Sequence, residues 1–182
     1  MVKPNIGGRG TGIVRVNSME QLEAAINKAS LNLGIDQTAL VQEFIPARDG
    51  HITRVETLGG KFLYAIDIFT SGRHFNLCPA EICQAENVPA FFEDSAGGAP
   101  NPKLKVQTCK PPPSTIDAVE KIAAFGGLDV GGVEYMVDYR DGRIVYYDIN
   151  ALSNFVANAP QVLGFDPHAR LVDYLKQQRE HV

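Results

Sequence analysis

Gly132-Val133-Glu134-Tyr135-Met136-Val137-Asp138-Tyr139-Arg140-Asp141-Gly142-Arg143-Ile144-Val145-Tyr146-Tyr147-Asp148-Ile149-Asn150 is the stretch on which the reading of this chain turns. Two runs rich in β-branched and aromatic residues flank Arg140-Asp141-Gly142, which predicts strands over about 131–139 and 143–150 joined by a tight turn. In such a hairpin Glu134 and Asp148 lie near each other across the ladder, and Asp148 and Asn150, two residues apart, share a face. Two carboxylates and an amide amid apolar neighbours are hard oxygen donors suited to Mg²⁺, with phosphate oxygens completing the shell. A cluster of merely solvated acids is the weaker reading, because like charges on adjacent strands destabilise unless a cation or hydrogen bonds compensate.

Working upstream, residues 52–58 and 61–69 are two more apolar, β-branched runs, and Gly59-Gly60 between them is the strongest hairpin signal in the chain. Arg54 lies inside the first run and Lys61 begins the second. Both read as solvated outer-face charges; if that face instead lines a pocket, Arg54 offers a fork of donors suited to phosphate oxygens. Residues 39–45 are strand-like and stop at Pro46; as an unpaired strand end, Glu43-Phe44-Ile45 would offer backbone groups to a heterocycle edge. Further upstream, Val2-Lys3-Pro4 leads into a loop with Gly7, Gly8, Gly10 and Gly12, then Ile13 to Val16. This predicts strand, Gly-rich flap, strand, with backbone N–H groups able to approach phosphates and Lys3 supplying a charge. It is not a P-loop, because the glycines join two strands and the lysine precedes them.

Ser18 with Gln21 three residues on is a capping-box signal, and Leu22, Ala25, Ile26 and Ala29 continue it as a helix over 19–30. A second helix, capped by Ser114 or Thr115, is expected to end at Gly126-Gly127. A third starts at Asp166 with Leu171, Val172 and Leu175 on one face. Residues 85–114 read as a long loop or lid, rich in Pro, Gly, Ala, Ser and Asn. The fold class is α+β, with a mostly antiparallel sheet covered by helices on one face.

Composition agrees. With 182 residues, 45% hydrophobic and 21% charged, the chain has the profile of one globular domain that buries about 70% of its unfolded surface. Disorder, collagen and coiled coil are thereby excluded. Cys78, Cys83 and Cys109 are odd in number and lack a C-x-x-C spacing, so reduced thiols and a cytoplasmic location are expected. No apolar run approaches the ~20 residues of a membrane helix. A net charge of −4 with scattered basic residues argues against nucleic acid as partner. None of His51, His74, His168 and His181 pairs with a nucleophile in a hydrolase pattern.

Taken in order, these clusters resemble the ATP-grasp superfamily, carboxylate-amine ligase branch, of the RimK-type glutamate ligases. Lys3 to Gly12 is similar to the phosphate flap, and Gln42-Glu43-Phe44-Ile45 to the hinge that holds adenine. Arg54 with Gly59-Gly60-Lys61 is similar to that branch's arginine and hairpin, and Glu134, Asp148 and Asn150 match the metal ligands. The resemblance implies an ATP-grasp fold and ATP with Mg²⁺ (or Mn²⁺) as cofactors. It implies ligation through an acylphosphate to an amide or peptide bond, ADP-forming, with small-molecule or peptide carboxylate and amine substrates. Arg54 and Lys3 would be catalytic. Lys3, Gly8, Gly10, Gly12, Glu43, Phe44, Ile45 and Lys61 would bind the nucleotide.

The chain departs from the family in three places. Ile52 occupies the RimK-type ribose position, leaving Asp49 or His51 as substitutes. Ala151-Leu152-Ser153-Asn154-Phe155 follows the asparagine where members continue with Pro or Arg-Pro. The family's N-terminal α/β domain and first ATP-binding lysine have no counterpart, so residues 1–182 read as a C-terminal portion, with a flap subdomain over about 1–45 and a metal and catalytic subdomain over about 46–182. A homo-oligomer is left open. The alternative function is a non-catalytic ATP-binding module for regulation or assembly.

Overall fold

The structure is a computed structural model that describes residues 1–6, 10, 12–69, 105–151 and 153–180. Cys78, Cys83, His74, His181, Gly8, Leu152 and the 85–104 part of the expected lid lie outside the described residues.

The centre is an antiparallel five-stranded sheet in the order β5-β4-β3-β6-β7, where β3 is His51–Leu58, β4 Lys61–Phe69, β5 Lys105–Cys109, β6 Val130–Val137 and β7 Ile144–Asn150. The β3–β4 hairpin turns on Gly59 and Gly60, at φ +60° and +67°, the backbone that a two-residue I′ loop demands and that glycine adopts without strain. β5 replaces the end of the expected 85–114 loop. Lys105-Val106-Gln107-Thr108-Cys109 is too short and polar to signal a strand alone, and it becomes one by pairing with β4, Ala65 opposite Cys109. Its Lys105 is the kind of edge charge that discourages further pairing.

Helical segments cover both faces of this sheet, not one. On one face α2, Pro113–Phe125, sets Val119 and Ile122 against Val55, Ala65, Val133 and Tyr135. On the other, Phe155, Val156 and Ala159 pack on Ile52, Tyr64, Ile66 and Ile68. That second cover comes from the coil before α3, Ala159–Leu163, from α3 itself and from α4, Pro167–Glu180. It was missed because Phe155 and Val156 sit in coil and carry no helical period. α4 also differs from expectation: Leu171 packs inward, while Val172 and Leu175 are exposed. Tyr174, not Leu175, meets the sheet, lying against the Gly59 turn. α2 begins on Pro113 with no side-chain cap, so neither Ser114 nor Thr115 plays that role. It ends as expected: Gly127 is left-handed at φ +62°, Leu128 N–H donates to the Ala123 carbonyl and Gly127 N–H to Ala124, a Schellman closure.

The N-terminal part is a separate two-stranded sheet, β1 Val2–Pro4 against β2 Ala39–Val41, with α1, Met19–Asn27, between them in sequence. Ser18 caps α1, its Oγ accepting from Gln21 N–H at 3.3 Å, while Gln21 Oε1 reaches one residue past the cap and accepts from Asn17 N–H at 2.8 Å, in place of the Ser18 N–H that a full capping box would use. α1 stops short of residue 30 because Ala29 turns left-handed at φ 48°. Val2 and Val14 exchange two backbone hydrogen bonds of 2.8 Å, which closes the Gly-rich flap; its far side is this bridge, not a full strand. β2 is likewise shorter than the expected 39–45: the ladder reaches Gln42, which bonds Met1, and goes no further.

Candidate functional site

The candidate site is one face of β3, β6 and β7. Register places Arg54 opposite Glu134 and Glu134 opposite Asp148, and beside them Glu56 opposite Gly132 and Gly132 opposite Asn150. Alternation then puts Arg54, Glu56, Glu134, Asp148 and Asn150 on one side. A register irregularity after Glu134 lets two β7 residues, Tyr147 and Asp148, oppose it, and the Tyr147 hydroxyl donates to Glu134 Oε2 at 2.7 Å. Asn150 Nδ2 bonds Asp148 Oδ2 at 3.1 Å.

Arg54 is the hub. Its Nε donates to Glu56 Oε1 at 2.6 Å, Nη1 to Glu134 Oε1 at 3.2 Å and Nη2 to Ser153 Oγ at 3.0 Å. Arg54, Glu56 and Glu134 are all buried, so burial opposes their charged forms and each other's charge restores them. The guanidinium stays above its ordinary range because two carboxylates outweigh its burial. Burial raises Glu56 and Glu134 above the usual carboxylate range, with Arg54 pulling both back. The Tyr147 hydroxyl is raised by burial and by Glu134, so it stays a proton donor to that carboxylate.

Three carboxylates, Glu56, Glu134 and Asp148, share this face with one guanidinium, an excess of negative charge that a divalent cation would offset. Each Glu134 oxygen carries one hydrogen bond and keeps a second lone pair. Asp148 is exposed and Asn150 half-buried. Among the described residues no three His, Cys, Asp or Glu side chains gather as a metal cage. Two acids and an amide fit a hard cation that keeps several ligands from elsewhere, as Mg²⁺ does with phosphate oxygens.

The other sequence-selected residues fall in three places. Lys3 is half-buried on β1 opposite Leu40, at the root of the flap with Gly10 and Gly12, both at positive φ. Glu43, Phe44 and Ile45 follow β2. Among the described residues no backbone hydrogen bond reaches them, while the first two side chains are tied down: Arg140 pairs with Glu43 and the Arg15 guanidinium lies 4.1 Å over the Phe44 ring. Asp49 sits left-handed and exposed in a short 3₁₀ turn, Arg48–Gly50. His51 starts β3 on the other face, its Nε2 3.6 Å from Asp67. Lys61 is exposed and paired with Glu120 of α2 at 2.8 Å, apart from the Arg54 cluster.

The sequence reading did not select Glu56, Tyr147 or Ser153. Glu56 had a signal, standing two residues from Arg54 on the same strand. Tyr147 had none, because plain alternation turns it away from Glu134 and only the irregularity brings it back. The Arg140 clamp was also missed: Arg140 grips the buried Asp138 through Nε at 3.0 Å and Nη2 at 2.7 Å while reaching Glu43, and Tyr139 N–H donates to the Pro46 carbonyl at 3.0 Å. The β6–β7 turn thus fixes the segment that follows β2.

The sequence matches no protein-family model and no curated protein. The structure matches the ATP-grasp ligase PsnB, solved with a phosphomimetic variant of minimal precursor, Mg and ADP, at TM-score 0.62 and 20% identity over 97% of this chain and 45% of that one. It also matches D-alanine–D-alanine ligase from Bacillus anthracis complexed with ATP, at TM-score 0.53 and 19% identity over 100% of this chain and 54% of that one. The chain therefore spans about half the length of these structures, and its fold is ATP-grasp.

Proposed function

We propose that this chain is the nucleotide- and metal-binding part of an ATP-dependent carboxylate-amine ligase. The observation that carries the reading is the single sheet face on which Arg54, Glu134, Asp148 and Asn150 meet within an ATP-grasp fold. The ligands held by the two structural neighbours, ADP with Mg and ATP, support the same cofactors here.

In this reading Glu134, Asp148 and Asn150 hold Mg²⁺ (or Mn²⁺), which supplies neutralisation of the triphosphate's charge during phosphoryl transfer. Arg54 adds a fixed positive charge already oriented by its carboxylate partners, so little reorganisation is needed when charge moves onto the transferred group. Lys3 and the backbone of Gly8, Gly10 and Gly12 close over the phosphates from the flap. The backbone groups of Glu43, Phe44 and Ile45 read the adenine edge, and the Arg140 clamp holds that segment still. Asp49 or His51 contacts the ribose, and a phosphate contact by Lys61 requires it to leave Glu120 of α2, which holds it on the opposite face of the sheet. A substrate carboxylate attacks the γ-phosphate to give an acylphosphate and ADP. An amine then attacks the acyl carbon and inorganic phosphate leaves. The proposal includes the flap subdomain over about 1–45, the metal and catalytic subdomain over about 46–182, and an α/β domain of the same protein preceding residue 1.

Titrating ATP with and without Mg²⁺ into the wild type and Asp148→Ala tests the metal assignment. Asp148 is exposed, so the variant folds, and it is expected to lose the Mg²⁺-dependent part of binding; equal binding by both proteins sinks the assignment. ADP release that depends on a carboxylic acid, measured on the full-length protein, separates a ligase from a nucleotide-binding module.

A further inference from the structure

Glycine in the middle of a strand weakens it unless another group needs the space. Gly132 lies mid-strand in β6, and a Cβ there would meet Glu56 Oε2 at 2.9 Å and Arg54 Nε and Nη2 at 3.1 Å. The space is filled by the Arg54–Glu56 pair, packed against β6 at Gly132. Glu56 is completely buried, and its Oε2 makes no well-formed hydrogen bond among the described residues, although the Ser153 hydroxyl lies close enough to that carboxylate to favour its charged form. A buried carboxylate with one unsatisfied oxygen is costly, and hydrophobic replacement of such pairs is often neutral or stabilising. Stability therefore does not account for Glu56.

Its geometry does. A guanidinium has five N–H donors, and Arg54 uses three, on Glu56, Glu134 and Ser153. With Nε pinned by Glu56, one N–H on each Nη is left for a ligand. We infer that Glu56, in the space left by Gly132, is a positioning residue that locks the Arg54 fork in the orientation presented to phosphate. This rests on the phosphate role of Arg54 proposed above. Glu56 itself is too buried to touch a ligand and acts only through Arg54.

The test reads Arg54 directly. In ¹⁵N-labelled full-length protein the Arg54 Nε–H resonance, assigned by its loss in Arg54→Lys, is expected to exchange slowly with solvent. Glu56→Ala should make that exchange faster and weaken Mg·ATP binding about tenfold, the scale of one charge-assisted hydrogen bond. Glu56→Gln keeps an acceptor oxygen and should retain most of the protection. Gly132→Ala, which intrudes on the pair from the other side, should act like Glu56→Ala and decides the matter if that variant does not fold. Unchanged Nε–H exchange in Glu56→Ala or Gly132→Ala overturns the inference, as does unchanged affinity in a protein that binds Mg·ATP. Loss of Nε–H protection in a protein that never binds Mg·ATP leaves the positioning role standing and removes the ligase reading instead.

Discussion

The two sheets of this molecule are held together in opposite ways. The five-stranded sheet is a burial structure: Val55, Ile66, Ile68, Val119 and Val133 are at most 1% exposed, and covering elements seal both faces. Among the described residues the two-stranded sheet buries only Val2 and Pro4, and α1 buries none of its residues. It is held instead by backbone bonds between Val2 and Val14, by Met1 with Gln42, and by the Ser18 cap. Hydrophobic burial resists local opening, whereas exposed hydrogen bonds compete with water and yield easily. The rigid part thus carries the charged cluster, and the weakly held part carries the flap proposed to open and close on a nucleotide.

The sharpest test of this contrast is a core truncation. Ile66→Ala removes a side chain with no exposure and should cost ~2–5 kcal/mol in denaturant unfolding; a cost below that range would mean the two-face core is not as closed as drawn. A smaller effect is set by pH at the clamp between the β6–β7 turn and the segment that follows β2. Arg140 holds Asp138 well below its ordinary 3.8, at about 2. A depressed carboxylate binds protons more readily when unfolded, so the stability it contributes is present above its unfolded pKa and lost as pH falls from about 4 towards 2. Asp138→Asn should therefore be destabilised at neutral pH, with its disadvantage against wild type shrinking across that window in acid unfolding. The smallest effect is expected in the N-terminal part. Ser18→Ala removes the α1 cap at a cost of ~1 kcal/mol or less. Amide exchange should show it confined to α1, with the exchange of β3, β4 and β6 unaltered; spreading into the large sheet would erase the contrast.

Much of the candidate site was legible because β-structure obeys a period of two. Once 132–150 is read as a hairpin, Glu134, Asp148 and Asn150 follow, and the Gly59-Gly60 turn fixes Arg54 in the neighbouring strand. The fold class was legible from the same strands. What failed depended on departures from period or on partners distant in sequence. Tyr147 reaches Glu134 only through the register irregularity. β5 is a strand only because β4 offers an open edge. The second cover of the sheet comes from coil at Phe155 and Val156, where no periodic signal exists. In α4 the buried face is turned by one residue, because Tyr174 packs on the Gly59 turn and Leu175 is left exposed.

The sequence by itself determined which residues carry donors and charge, where the chain must turn, and which strand faces are apolar, since these follow from side-chain chemistry and backbone freedom at single positions. Only the tertiary structure decided that Arg54 is buried between Glu56 and Glu134, that Gly132 is small to make room for them, and that Arg140 ties Glu43 to Asp138. Those facts join residues up to 97 positions apart, and long-range contact is set by how strands pair and pack, which no local pattern encodes.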